Sequence, residues 1–217
     1  MRIADRWWDS VASQLGRPHG IAGRVIGRIL NRGNYTTVAA AVAATEAGSG
    51  ATVADIGFGG GIGLDELLAA VGETGTVHGV EIAPTMLDQA GKRYRAEIAA
   101  GRLVLHTAAM DEMPLAAASL DAAISTNTVY FIDDLAPAFA ELARVLRPSG
   151  RVVLGIGDPA DMARMPFTEN RFRLRPIAEI AEHLQAAGLA VQEDRRLGNG
   201  RMQFHLLVCT KPHASLK

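Results

Sequence analysis

Five glycines fall within seven residues, at Gly57, Gly59, Gly60, Gly61 and Gly63, directly after the apolar run Val53-Ala54-Asp55-Ile56. Glycine permits a positive φ and lets backbone approach a ligand closely, and free amides at the start of a following helix favour polar or anionic groups. The spacing is Asp-x-Gly-x-Gly-x-Gly, from Asp55, Gly57, Gly59 and Gly61. It is not the G-x-G-x-x-G dinucleotide fingerprint, because the sixth position is Ile62 counted from Gly57 and Leu64 counted from Gly59. Twenty residues past Gly61, Gly79-Val80-Glu81 brings an acid whose carboxylate can accept from both hydroxyls of a ribose. Loop and acid together imply an adenosine-type ligand.

The elements that must hold these residues can be read from periodicity. From residue 51 onward, short β-branched runs alternate with longer helical patterns, the signature of a parallel sheet wrapped by helices. The expected strands are Ala51–Ile56, Thr76–Glu81, Leu103–His106, Ala122–Thr126 and Arg151–Ile156, with helical patterns near 63–71, 84–99 and 134–146. Arg147-Pro148-Ser149-Gly150 stops the last of these and turns the chain into the next strand. A helix around Pro176–Ala187 then ends at Gly188, and Leu189–Arg196 and Arg201–Cys209 flank the turn Leu197-Gly198-Asn199-Gly200 as a hairpin. The expected fold is a doubly wound, mostly parallel Rossmann-like α/β sheet with helices on both faces, ending in an antiparallel β-hairpin.

Composition sets the class. The chain has 217 residues, 48% of them hydrophobic and 21% charged, with a formal net charge of −1, so one full core is expected without disulfide or metal staples. The single cysteine, Cys209, builds neither a pair nor a redox motif, and the scattered six histidines form no ligand cluster. The first ten residues lack the form of a signal peptide and no run approaches a membrane span, so a cytoplasmic location is expected. Arg24, Arg28 and Arg32 recur every four residues beside Ile21, Val25 and Ile29, which reads as a basic amphipathic helix. That helix has three readings: a face packed on the domain, a lid over a pocket, or a peripheral contact with anionic lipid.

The segments carrying the glycine loop and Glu81, together with "GVEIAPTMLDQA" (79–90), "MDEMPLAAASLDAAISTNTVYFIDD" (110–134) and "ELARVLRPSGRVVLG" (141–155), resemble the class I S-adenosylmethionine-dependent methyltransferases, in particular the small-molecule branch of the ubiquinone and menaquinone enzymes. The resemblance covers about residues 50–210. It implies S-adenosylmethionine as cofactor, S-adenosylhomocysteine as product and no metal. It implies that Asp55 and the backbone of Gly57, Phe58, Gly59 and Gly61 face the methionine part, and that Glu81 takes the ribose. Ile82 and Met86 would lie on the adenine, and Asn127 near the methionine amino group. Where the family often has an acid for the adenine amino group, this chain has Ala109, with Met110 and Asp111 as substitutes. Tyr35, leading into the helix before the loop, is a further cofactor candidate. Residues 1–35 are expected as a helical cap and 36–217 as the methyltransferase domain, one domain overall.

An activated sulfonium methyl leaves the protein mainly a positioning task, with a base needed only for a poorly ionised acceptor. Tyr130, past the fourth strand, and His19, in the N-terminal segment, are the candidates for catalytic groups. Nucleic acid is disfavoured as a partner, since Asn127-Thr128-Val129-Tyr130 lacks the prolines of the base-methylating enzymes and the net charge is near zero. The expected activity is in-line methyl transfer to an O, N or C nucleophile of a small, lipophilic molecule. The alternatives are a nicotinamide-dependent oxidoreductase and a non-catalytic cofactor-binding partner protein.

Overall fold

The computed structural model describes residues 35–165, 168, 172–198 and 202–213. All but the last residue of the expected 1–35 cap, and His19 with it, lie outside the described residues. The elements in order are α1 (35–45), β1 (Thr52–Ile56), α2 (Ile62–Val71), β2 (Thr76–Glu81), α3 (Pro84–Arg93), α4 (Arg95–Ala99) and β3 (Leu103–Thr107). After these come β4 (Leu120–Thr126), a 3-10 turn (Val129–Phe131), α5 (Leu135–Val145), β5 (Leu146–Gly157), α6 (Pro159–Met162), α7 (Ile177–Ala186), β6 (Ala190–Gly198) and β7 (Gln203–Thr210).

The seven strands form one sheet in the order β3-β2-β1-β4-β5-β7-β6. The first five are parallel, and β7 runs antiparallel to both β5 and β6. Central strands are buried on both faces, so β1 and β4 show runs of consecutive buried residues rather than alternation. One face packs Ile56, Val80 and Leu154 against Phe139 and Leu142 of α5; the other packs Val53, Val77 and Leu206 with Leu64 and Leu67 of α2. The expected doubly wound sheet with a terminal hairpin is the observed one.

Two local expectations need correction. The helical pattern over 84–99 breaks at Tyr94, which lies at φ −104°, ψ 31° between α3 and α4. The strand expected from Arg151 begins at Leu146, because Arg147-Pro148-Ser149-Gly150 continues as an irregular stretch paired beside β4, with Ser149 at φ 64°. Helix starts follow side-chain chemistry where it is present: Asp134 accepts from Ala136 N (3.0 Å) at α5, and Asp158 accepts from Ala160 N (2.9 Å) and Asp161 N (3.2 Å) at α6. No helix among the described residues is long and apolar enough to cross a membrane.

Candidate active site

Between the carboxyl ends of β1, β2 and β4 lies a cleft of about 250 Å³. Its position is the one that parallel sheets provide at a reversal of strand order, since β1 has β2 on one side and β4 on the other. The glycine loop forms its floor. Gly57 N donates to Val80 O (2.8 Å) and Gly61 N to Phe58 O (2.9 Å), so the chain turns back tightly before α2 begins at Ile62.

Glu81, 8% exposed, fastens that loop to β2. Its Oε2 accepts from Gly59 N (2.9 Å), and its Oε1 accepts from Ile82 N (2.8 Å) and Ala83 N (2.9 Å). An ionised carboxylate offers about four lone-pair sites. Oε2 is therefore the less committed oxygen and the one left to accept from a ligand hydroxyl.

Asp55, 3% exposed, lines the same cleft and stands in contrast. Among the described residues neither of its oxygens has a hydrogen-bond partner. Burial, with the neighbouring Glu81 charge second, pushes its carboxyl up to about 8. Gly63 is what makes room for it: a Cβ there would stand 2.2 Å from Asp55 Oδ2 and 2.8 Å from Ile124 Cδ1. The fourth odd-numbered glycine of the series is thus explained by the acid eight residues earlier.

Most of the cofactor residues expected from the sequence meet at this cleft. Phe58, Ile82, Ala109, Met110 and Asn127 line it together with Asp55, Gly57, Gly59 and Glu81. Asn127 takes φ 56°, a left-handed conformation that asparagine tolerates, with its N–H on Gly155 O (2.8 Å). Four others sit elsewhere. Gly61 caps α2 at φ 81° behind the floor, Met86 is 3% exposed in the core, Asp111 is exposed, and Tyr35, 52% exposed, pairs with Glu66 on the outer surface.

Tyr130 is corrected most sharply. It is 3% exposed and does not line the cleft. Its hydroxyl accepts from Gly157 N and donates to Asn127 Oδ1 (3.4 Å), and burial holds the phenol well above its ordinary pKa. A phenol so placed supports the turn and is no base for an acceptor. The neighbouring Phe131 and Ile132 line the cleft instead, with Thr126 and Thr128. Phe131 packs against Phe172 at 4.8 Å between centroids, with the ring planes inclined at 59°. Among the described residues, no group of three or more His, Cys, Asp or Glu is placed to hold a metal ion.

A glycine loop tied to an acid at the end of β2, in a sheet completed by an antiparallel pair, defines the class I S-adenosylmethionine-dependent methyltransferase fold. Residues 54–154 match the family model described as a methyltransferase domain. The chain is 35% identical over 106 residues to the aklanonic acid methyltransferase of Streptomyces sp. (strain C5), covering 48% of this chain and 47% of that one. It is 26% identical over 151 residues to an O-methyltransferase of Pyrenophora dematioidea, covering 58% of this chain and 57% of that one. The chain spans only part of the curated relatives' own length, from 20% to 57%. A crystal structure of the geranyl diphosphate C-methyltransferase of Streptomyces coelicolor A3(2), with Mg2+, geranyl diphosphate and S-adenosyl-L-homocysteine, shares the fold. It has a TM-score of 0.72 at 15% identity, over 95% of this chain and 96% of that one.

Proposed function

We propose that this protein moves a methyl group from S-adenosylmethionine to an O, N or C nucleophile of a small, apolar molecule, releasing S-adenosylhomocysteine. The observation that carries the reading is the pair of buried carboxylates in one cleft: Glu81 held by three backbone amides, and Asp55 with no hydrogen-bond partner among the described residues. A ribose hydroxyl suits the free valence of Glu81, and a cationic amino group suits Asp55. The cofactor, when bound, supplies an already activated methyl group.

The chain's own residues then position and exclude. Ile82 and Met110 offer apolar surface to the adenine beside Ala109, where the Met110 backbone lies in place of the acid that the family often has. Phe131 and Ile132, on the β4 side of the cleft, give the acceptor an uncharged wall. The only charged side chains lining the cleft among the described residues are Asp55 and Glu81, which favours an uncharged acceptor over a phosphorylated one. Residues 1–35 complete the cap in this reading, with His19 the remaining candidate for a base, and Cys209, buried and unpaired, suits a cytoplasmic setting.

Calorimetric titration of the wild type with S-adenosylmethionine, S-adenosylhomocysteine and NADH tests the proposal, with Glu81→Gln alongside. Binding of both sulfur compounds, weakened about tenfold or more in Glu81→Gln, is expected, because charged hydrogen bonds are worth about 1.5–3 kcal/mol. Tight NADH binding without S-adenosylhomocysteine binding would overturn it in favour of an oxidoreductase.

A further inference from the structure

The glycine loop has a second anchor that the cleft does not display. Tyr94, 4% exposed, occupies the break between α3 and α4. From there its hydroxyl lies 2.8 Å from both Gly61 O and Asp65 Oδ1, some thirty residues back along the chain, and its single proton is shared between these two acceptors. Gly61 O also accepts from Asp65 N (3.2 Å), the first bond of α2. The same ring blocks the other side of the turn: a Cβ on Gly61, at φ 81°, would meet Tyr94 Oη at 3.0 Å. Arg93 pairs with Asp65 and lies over the Tyr94 ring at 5.0 Å, so the acceptor carboxylate is itself fixed.

Two ends of one segment therefore grip one loop. Glu81, where β2 ends, holds the N–H of Gly59; Tyr94, where α3 ends, holds the C=O of Gly61. The rod between them is α3, with Pro84 at its start. Burial and the Asp65 carboxylate keep the phenol protonated, so it stays a donor at any working pH.

We infer that Tyr94 is a positioning residue for cofactor binding: its hydroxyl presets the Gly57–Gly61 backbone in the ligand-receiving shape, by holding Gly61 O from behind the loop. The inference rests on the methyltransferase reading for the identity of the ligand, but not for the state of the loop. A protein whose competent form is only partly populated binds more weakly by that fraction. The hydroxyl's contribution then appears in affinity and in loop exchange.

Tyr94→Phe keeps the ring and removes the donor. S-adenosylhomocysteine titrated into wild type and variant should show the Kd rise about 3- to 10-fold, the range expected for one neutral hydrogen bond. Amide exchange in the ligand-free proteins should quicken at Gly59–Gly61 and stay unchanged in β5 and β7. Unchanged Kd and unchanged loop exchange would overturn the inference. So would a uniform rise in exchange with a fall in Tm, which would mark a merely structural tyrosine. If the wild type itself does not take up S-adenosylhomocysteine, the functional reading fails and the exchange comparison alone decides the role of Tyr94.

Discussion

The two sides of the cleft are built on opposite plans. On the β2 side the groups are polar and committed: Glu81 is bound by three amides, and the loop is gripped from front and back. On the β4 side the short polar groups of Thr126, Asn127 and Thr128 give way to an apolar edge, Phe131 packed against Phe172, with Arg175 donating to Val129 O (3.2 Å), Ile132 O (2.8 Å) and Asp133 O (2.9 Å) to hold the turn that bears Phe131. Between the two stands Asp55, buried like Glu81 but bonded to nothing described. The contrast separates a ligand held by a fixed hydrogen-bond pattern from one held by shape. Polar sites gain from preorganisation, because each unpaired buried group is costly, whereas an apolar wall tolerates many occupants.

The comparison breaks most violently at Gly63. Gly63→Ala places a methyl group against Asp55 and Ile124, and should cost about 3 kcal/mol of stability, read as a lowered midpoint in urea unfolding.

Asp55→Asn sharpens it. In the wild type the folded carboxyl titrates near 8 while the unfolded one titrates near its ordinary value, so the folded protein holds a proton that the unfolded chain has lost. Stability must then fall as pH rises from about 4 to about 8, and the asparagine variant should lack that decline. At pH 8 the variant should therefore melt above the wild type, a difference that closes as the pH is lowered toward 4. Its affinity for S-adenosylhomocysteine should drop about tenfold at the same pH, since the ammonium loses its counter-charge. In the wild type that affinity should climb toward pH 8 as Asp55 ionises, and titrations at several pH values would show the slope vanish in Asp55→Asn.

The smallest effect on the cofactor belongs to the other wall. Phe131→Ala should leave the S-adenosylhomocysteine Kd within about twofold while costing about 1–2 kcal/mol in urea unfolding, part of it the lost ring contact with Phe172. A large loss of cofactor affinity there would erase the division between the two sides.

Much of this was legible in the residues. The strands β2 and β4 fall where periodicity puts them, and Asp55, the glycine series and Glu81 mark the cleft without any coordinates. What escaped has particular causes. A helical pattern discloses neither the break at Tyr94 nor the bond of its hydroxyl to Gly61 O, far away in sequence. Tyr130 and Phe131 are adjacent in a 3-10 turn, where neither a two-residue nor a 3.6-residue period says which ring faces inward. The buried one proved to be the one with the polar tip, because Gly157 N offered it a partner. Asp55 was found by spacing, but its lack of a hydrogen-bond partner among the described residues was not, since that depends on what its neighbours on β2 and α2 already bond to.

The order of the last strands has a consequence for how the molecule assembles. β6 precedes β7 in the chain yet touches the sheet only through it, so β6 has no docking partner until β7 is in place. Hairpins close in microseconds, far faster than distant parallel strands find one another. Local pairing of the two strands is therefore expected to precede their pairing with β5. His205 then slides in between Asp194, already its hairpin neighbour at 2.8 Å, and Asp158 at the end of β5, at 3.2 Å. That last contact joins β7 to the residue that follows β5, so its loss would report the hairpin leaving the sheet rather than the hairpin opening.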